Sequence, residues 1–132
     1  MGEMKTSAGW PRMYAVVRKD LGKVPTGKLM GSAGHAFVGA FYDSFDPALS
    51  RETMARAYAE SPEHAKIVLG IDNEAFLRAL RIDCEAGVVP HHLVTDFAHT
   101  VFDQPTVTAL GIGPITETEY RALGLDKLEI FR

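Results

Sequence analysis

Two kinds of hydrophobic pattern alternate along this chain, and together they predict its secondary structure. Short apolar runs rich in β-forming residues indicate strands, and a last segment alternates apolar with charged residues in the manner of a strand. The runs are MYAVV (13–17), AKIVLGI (65–71), HLVTD (92–96), TVTALGIG (106–113, ended by Pro114) and KLEIF (127–131). The pattern therefore predicts five strands.

Between the first two runs, hydrophobic residues repeat every three to four positions, as they do on a helix. This segment extends from Lys28 to about Asp43, and Thr26 is its expected N-cap. One stripe holds mostly small residues and a neighbouring stripe holds larger ones: Leu29, Ala33, Ala36 and Ala40, then Met30, Phe37 and Phe41. We expect a helix with a broad apolar surface.

Two shorter helices are predicted from their end signals. One spans about 50–60, opened by Ser50 and stopped by a Ser-Pro pair. The other runs to about Leu123 and begins with Thr116 and Glu119, which have the spacing of a capping box.

A further helix lies between the second and third strands. Asp72 or Asn73 is its expected N-cap, and Gly87 closes it. Its inward side should carry an apolar stripe formed by Phe76, Leu77, Leu80 and Cys84.

The elements follow the order β-α-α-β-α-β-β-α-β, which predicts an α/β fold with three layers and helices on both faces of the sheet. No helix separates 92–96 from 106–113, so we expect that pair to be antiparallel and the sheet to be mixed. We expect residues 1–12 to form a flexible leader and 13–132 a single domain, which the length of 132 residues suits.

Charge is unevenly spread along the chain. Residues 1–28 carry six basic and two acidic side chains, a net charge of +4, whereas the remainder carries eight basic and fifteen acidic ones, a net charge of −7. The first segment can attract a polyanion or can simply be a solvated face. The acidic remainder argues against a nucleic-acid binder that uses its whole surface.

The surroundings of the protein can also be anticipated. No apolar run approaches the ~20 residues that span a bilayer, so we expect no membrane partner. The N-terminal residues contain no apolar signal-peptide core, and the single cysteine suits a reducing compartment. We therefore expect a cytoplasmic protein.

The segment TGKLMGSAGHAFVGA (26–40) combines small residues with candidate chemistry. On a helix, Lys28, Ser32, His35 and Gly39 share one face, and Lys28 lies at the end where free N–H groups favour an anion. A small-residue face also lets a ligand or another backbone approach closely. The alternative is a tightly packed helix with a solvated lysine and a hydrogen-bonded histidine.

Histidines 91, 92 and 99 resemble a metal site only superficially, because adjacent residues on a strand point to opposite faces. No cysteine pair or HExxH spacing accompanies them, so we expect no metal. Asp96 ends a strand, with Thr100 and Thr108 beyond it, and strand ends are where α/β sheets bind ligands. Asp96 can alternatively cap a turn.

Four segments, taken in order, resemble peptidyl-tRNA hydrolases of the second, archaeal and eukaryotic type. They are VVRKDL (16–21), GKLMGSAGHA (27–36), DFAHT (96–100), which is similar to Asp-Ala-Gly-Arg-Thr, and TALGIGP (108–114), which is similar to Thr-Val-Leu-Gly-Ile-Gly-Pro. The resemblance covers about residues 13–132. The ending DKLEIFR (126–132) also resembles an uncharacterised bacterial branch of this superfamily.

The resemblance implies a mixed, mostly four-stranded sheet and cleavage of the ester between peptide and tRNA. It further implies no metal or cofactor and a homodimer. By position, Lys28, Asp96, Thr100 and Thr108 match residues held to form the active site. Two positions depart from the family pattern, because Ser32 replaces a glutamine and His99 replaces an arginine.

These matches lead to two hypotheses. In the first, the chain hydrolyses peptidyl-tRNA, with Ser32, His35 and His99 near the substrate and Arg18, Lys19 and Lys23 contacting the RNA. In the second, the scaffold is a non-catalytic domain that binds a small anionic ligand or a protein partner near Lys28.

Overall fold

Five strands form one sheet in a computed structural model that describes residues 9–98 and 101–132. The strands are β1 (Arg12–Arg18), β2 (Lys66–Ile71), β3 (His91–Asp96), β4 (Thr106–Ile115) and β5 (Glu129–Ile130), in the order β3-β4-β1-β2-β5. β1 and β2 are parallel, and the other neighbouring pairs are antiparallel. The mixed, mostly four-stranded sheet is confirmed, because β5 adds only a two-residue edge.

Four α-helices connect these strands in the predicted order. They are α1 (Thr26–Asp43), α2 (Glu52–Glu60), α3 (Glu74–Ala86) and α4 (Glu117–Ala122), with short 3₁₀ turns at Pro47–Leu49 and Leu125–Lys127. None of the helices in the described part of the chain has the length and apolar character to cross a membrane.

Alternation along β1 places helices on both faces of the sheet. Tyr14 and Val16 belong to a buried cluster that includes Leu77 and Leu80 of α3, with Tyr120 of α4 packed against it. Ala15 and Val17 belong to a second cluster with Ala33 and Ala36 of α1. Because successive side chains of a strand point to opposite faces, the two clusters fill the two interfaces between the sheet and the helices on either side. This is the predicted three-layer fold.

Small residues allow α1 to lie directly on β4. A side chain at Gly111 would overlap the backbone carbonyl group of Ala36, which is itself fully buried. By contrast, no atom of the described residues outside the helix backbone lies within 4 Å of the position that a Cβ would occupy at Gly31 or Gly34. Packing among the described residues therefore explains only part of the small-residue pattern in α1.

Three expected helix details are wrong, each for a local reason. α1 begins at Thr26 because the Pro25 carbonyl accepts the first hydrogen bonds of the helix, so Pro25 is the N-cap. α2 begins at Glu52, since Ser50 adopts a left-handed conformation that ends the preceding 3₁₀ turn. Phe76 is 56% exposed, because it flanks the stripe of Leu77, Leu80 and Cys84 that is the buried face of α3.

The predicted ends of two strands and one stripe also need correction. β4 continues through Pro114 to Ile115, where it pairs with β1 again after an irregularity in the register. Because the ladder is irregular at Pro114, it does not need the backbone N–H that proline lacks. In the final segment, residues 125–127 form a 3₁₀ turn, which leaves only Glu129–Ile130 as strand. Met30 is 68% exposed, so the predicted stripe of Met30, Phe37 and Phe41 on α1 is only partly covered.

One ion pair joins the start of α2 to α4. The Arg51 guanidinium contacts both carboxylate oxygens of Glu119 and donates to the Val88 carbonyl oxygen at 2.8 Å. Glu119 also completes the predicted capping box with Thr116. Burial alone would raise the pKa of Glu119, but the hydrogen bonds from Arg51 and from the Thr116 backbone together lower it.

A Gly111→Ala change should lower the free energy of unfolding by about 1–3 kcal/mol, since α1 must move away from β4. The matched control, Gly31→Ala, should raise it by about 0.5–1 kcal/mol, because alanine favours a helix and meets no atom there. Chemical denaturation of both variants measures the difference. Equal effects of the two substitutions would contradict the close helix–strand contact.

Glu119→Gln should lower the free energy of unfolding by about 1–3 kcal/mol at neutral pH, because it leaves a partly buried arginine poorly paired. The lowered pKa makes this contribution complete above about pH 4.3, and it is lost as pH falls through the folded-state value. Denaturation curves of the variant and the native protein should therefore converge in acid. Glu52→Gln, in an exposed pair with Arg56, should cost under about 0.5 kcal/mol.

Candidate active site

Lys28 and Asp96 meet at one edge of the sheet. Lys28 lies in the first turn of α1, and Asp96 is the last residue of β3. The Lys28 Nζ lies 2.5 Å from Asp96 Oδ2, and the two side chains are 24% and 12% exposed. The pair is sheltered but still open to a ligand, in the first turn of α1, where the helix dipole favours an anion.

The carboxylate of Asp96 also organises its own turn. Its Oδ1 accepts a hydrogen bond of 2.9 Å from the Ala98 backbone N–H. Ala98 has a φ of +67°, in the left-handed region where a Cβ is unfavourable, and glycine stands there in the family segment that DFAHT resembles. Asp96 therefore caps a turn, as the alternative interpretation expects, and the same carboxylate faces Lys28, while its role in a site stays a prediction.

A β-bulge occurs where β4 approaches this pair. Val94 of β3 is opposite Ala109, but the next residue, Thr95, is opposite Val107, so Thr108 has no counterpart on β3. Thr108 and Ala109 consequently both face α1, whereas Val107 joins the cluster on the α3 side. Bulges of this kind change the direction of a side chain next to a site.

The bulge brings Thr108 to Ser32. The Thr108 hydroxyl lies 3.1 Å from that of Ser32, to which it donates, and the two residues are 1% and 5% exposed. Ser32 is one helical turn beyond Lys28, and a side chain at Gly39 would overlap the ring of His92 on β3. Lys28, Ser32 and Gly39 of the predicted common face therefore look toward β3 and β4.

The remaining predicted site residues differ in their settings. His35 is exposed on α1, and Lys23 is exposed in the preceding loop. The Lys19 amine lies 3.2 Å from Asp72, at the surface. His99 and Thr100 lie outside the described residues. Their predicted roles, like those of the other site residues, stay predictions.

Arg18 is held by three groups of this chain. Its guanidinium donates to both carboxylate oxygens of Asp20, at 2.9 and 3.1 Å, and to the Val107 carbonyl oxygen at 2.9 Å. It also lies 3.4 Å from Glu74 at the start of α3, and its side chain is 13% exposed. The Arg18 hydrogen bonds lower the pKa of Asp20.

The described residues contain no group of three or more histidine, cysteine or acidic side chains that could hold a metal ion. His91 Nδ1 lies 2.9 Å from the Val89 carbonyl oxygen, while His92 packs over Gly39 on the helix side. Cys84 is fully buried, and desolvation raises the pKa of its thiol to about 12, so it offers no nucleophile.

Sequence reasoning missed the bulge and the bond from Arg18 to Val107. A signal for the bulge is present, because the large apolar residues Val107, Leu110 and Ile112 change phase by one position within β4. It also missed Phe97, which follows Asp96 and is 67% exposed.

An α/β sheet whose strand ends meet the lysine-bearing N-terminus of a helix defines a class of site suited to an anionic ligand. Residues 11–124 match the family described as "Peptidyl-tRNA hydrolase PTH2". The chain belongs to this peptidyl-tRNA hydrolase family.

Individual relatives agree with the family assignment. A peptidyl-tRNA hydrolase of Methanopyrus kandleri is 35% identical over 108 residues, which cover 82% of this chain and 88% of that protein. One from Methanocaldococcus jannaschii is 30% identical, covering 78% and 85% of the two chains. A probable peptidyl-tRNA hydrolase 2 of Drosophila melanogaster is 31% identical over 78% of this chain and 53% of its own length.

Proposed function

We propose that this protein hydrolyses the ester bond between peptide and tRNA in peptidyl-tRNA. The observation that carries the proposal is the contact of Lys28 with Asp96 at the N-terminus of α1, within one helical turn of the Ser32–Thr108 pair. Membership of the family supports the same substrate.

The reaction needs an activated water and a partner for the negative charge that builds on the carbonyl oxygen. Asp96 orients the water or accepts its proton, because its carboxylate is already fixed by the Ala98 N–H. Lys28 and the helix N-terminus stabilise the developing charge or hold the terminal phosphate. No covalent intermediate and no cofactor is involved in this proposal.

The hydroxyl-bearing and basic residues complete the proposed site. Thr108 would position the first turns of α1, and with them Lys28, because its buried hydroxyl donates to Ser32 on that helix. Thr100 would position the water or the substrate, and His35 and His99 would lie along the path of the substrate. Lys19 and Lys23 would contact phosphates of the acceptor stem, because both are exposed next to the site.

A non-catalytic binding domain is the second candidate function. It is favoured by Ser32, which stands where the family pattern has glutamine, and by the direct Lys28–Asp96 contact, which a bound anion would replace. Release of peptide from peptidyl-tRNA by the native protein separates the two functions.

We also propose that the protein acts in the cytoplasm as a homodimer. The exposed apolar residues Met30, Val38 and Tyr42 on α1 support self-association. Sedimentation equilibrium of the purified protein measures its oligomeric state.

Lys28→Ala should reduce kcat for peptidyl-tRNA hydrolysis by roughly 10²–10³-fold, the usual cost of removing a donor that stabilises developing charge. Steady-state kinetics of peptide release measures this effect. Lys127→Ala, at an exposed position in the last 3₁₀ turn, is the matched control and should keep the native rate. A fully active Lys28→Ala variant would remove the proposed site.

Binding of tRNA should weaken steeply with salt. Contact with about four phosphates gives a log–log slope of roughly −3 to −4. Replacing Lys19 and Lys23 with alanine should flatten this slope by about one to two units, because fewer phosphates are then neutralised and fewer counterions are released on binding. Titrations at several salt concentrations measure the slope, and salt-independent binding would favour a ligand other than RNA.

A further inference from the structure

At the end of β4 next to the site, pairing with β1 has its last partners at Val17 and Ala109, so the β1–β4 ladder does not extend to Val107. The Arg18 side chain contacts Val107 there, with its Nη1 donating to the Val107 oxygen at 2.9 Å.

This hydrogen bond acts directly on the bulge. The Val107 carbonyl and the Thr108 N–H belong to one planar peptide unit, which also includes the Thr108 Cα. Holding the Val107 oxygen therefore restrains the plane of this peptide unit and the position of the Thr108 Cα, from which the Thr108 side chain extends. Arg18 follows Tyr14 and Val16 in the alternation of β1, so it holds this unit from the face of the sheet opposite α1.

Arg18 is itself held in one orientation. Two parallel hydrogen bonds to Asp20 fix the guanidinium plane, and Glu74 contacts the same Nη1 that serves Val107. A lysine cannot reproduce this arrangement, because a single ammonium cannot form a planar two-fold contact with one carboxylate and also reach the carbonyl.

We infer that Arg18 is a positioning residue for the hydrolytic site, which sets Thr108, and through it Ser32 and Lys28, instead of contacting RNA. This inference rests on the proposed function for its effect on catalysis. Its structural part, the link between Arg18 and the Thr108 peptide, does not depend on the reaction.

The kinetic test is Arg18→Lys, with Arg78→Lys as the matched control. Arg78 also pairs with Glu74, at 2.7 Å, but lies on the surface of α3 away from Val107. Arg18→Lys should lower kcat by roughly 10- to 100-fold with KM within about twofold, the scale of a catalytic group displaced by about 1 Å. Arg78→Lys should leave both parameters unchanged.

A double-mutant cycle with Thr108→Ala separates positioning from general loss of structure. Once the Thr108 hydroxyl is absent, Arg18→Lys should change kcat by no more than about twofold, because the two residues act as one unit. Independent, multiplying losses would overturn the inference. So would a higher KM at unchanged kcat, which would mean that Arg18 contacts the substrate.

Hydrogen exchange tests the structural part without any substrate. The Thr108 and Ala109 amides should exchange faster in Arg18→Lys than in Arg78→Lys, while amides in the middle of β1 stay alike. Unchanged exchange at Thr108 would overturn the inference. A native protein that exchanges as expected but releases no peptide would instead contradict the proposed function.

Discussion

The contact of α1 with β4 is the constraint on which the rest of the structure depends. Where Gly111 lies under the Ala36 carbonyl, helix and strand backbones touch with no side chain between them. This approach sets the height of the whole helix above the sheet. If α1 lay farther from the sheet, the short side chains of Ser32 and Thr108 could not form their hydrogen bond. The lysine that opens the same helix would also lose its reach to Asp96.

Much of the architecture could be predicted from the sequence, because periodicity reports directly on burial. The order of the elements, the mixed sheet and the capping box of Thr116 all follow from local patterns. Helix starts were less accessible where a proline or a left-handed residue decided the boundary, as at Pro25 and Ser50. Phe76 shows the same limit, since one residue of phase separates an inward position from an outward one.

The candidate site was predictable in part. The resemblance to the family placed Lys28 and Asp96 in one active site, and the position of Lys28 at a helix start and of Asp96 at a strand end agreed with that expectation. The contacts of Arg18 were not predictable, because two of its partners, Glu74 of α3 and Val107 of β4, are distant in the sequence and only Asp20 is close. A basic residue in a basic segment favours an interpretation as an RNA contact, and only the folded arrangement shows that its charge is used internally.

The bulge at Thr108 divides β4 into two parts whose side chains alternate between the sheet faces in different phase. Residues on the Ile115 side follow the alternation of the core, while Thr106 and Val107 follow one shifted by a residue. A side-chain hydrogen bond from outside the ladder holds the boundary between them. A displacement of Thr106 and Val107 can therefore end at the bulge, so that the strand beyond it and the buried layers on either side keep their packing.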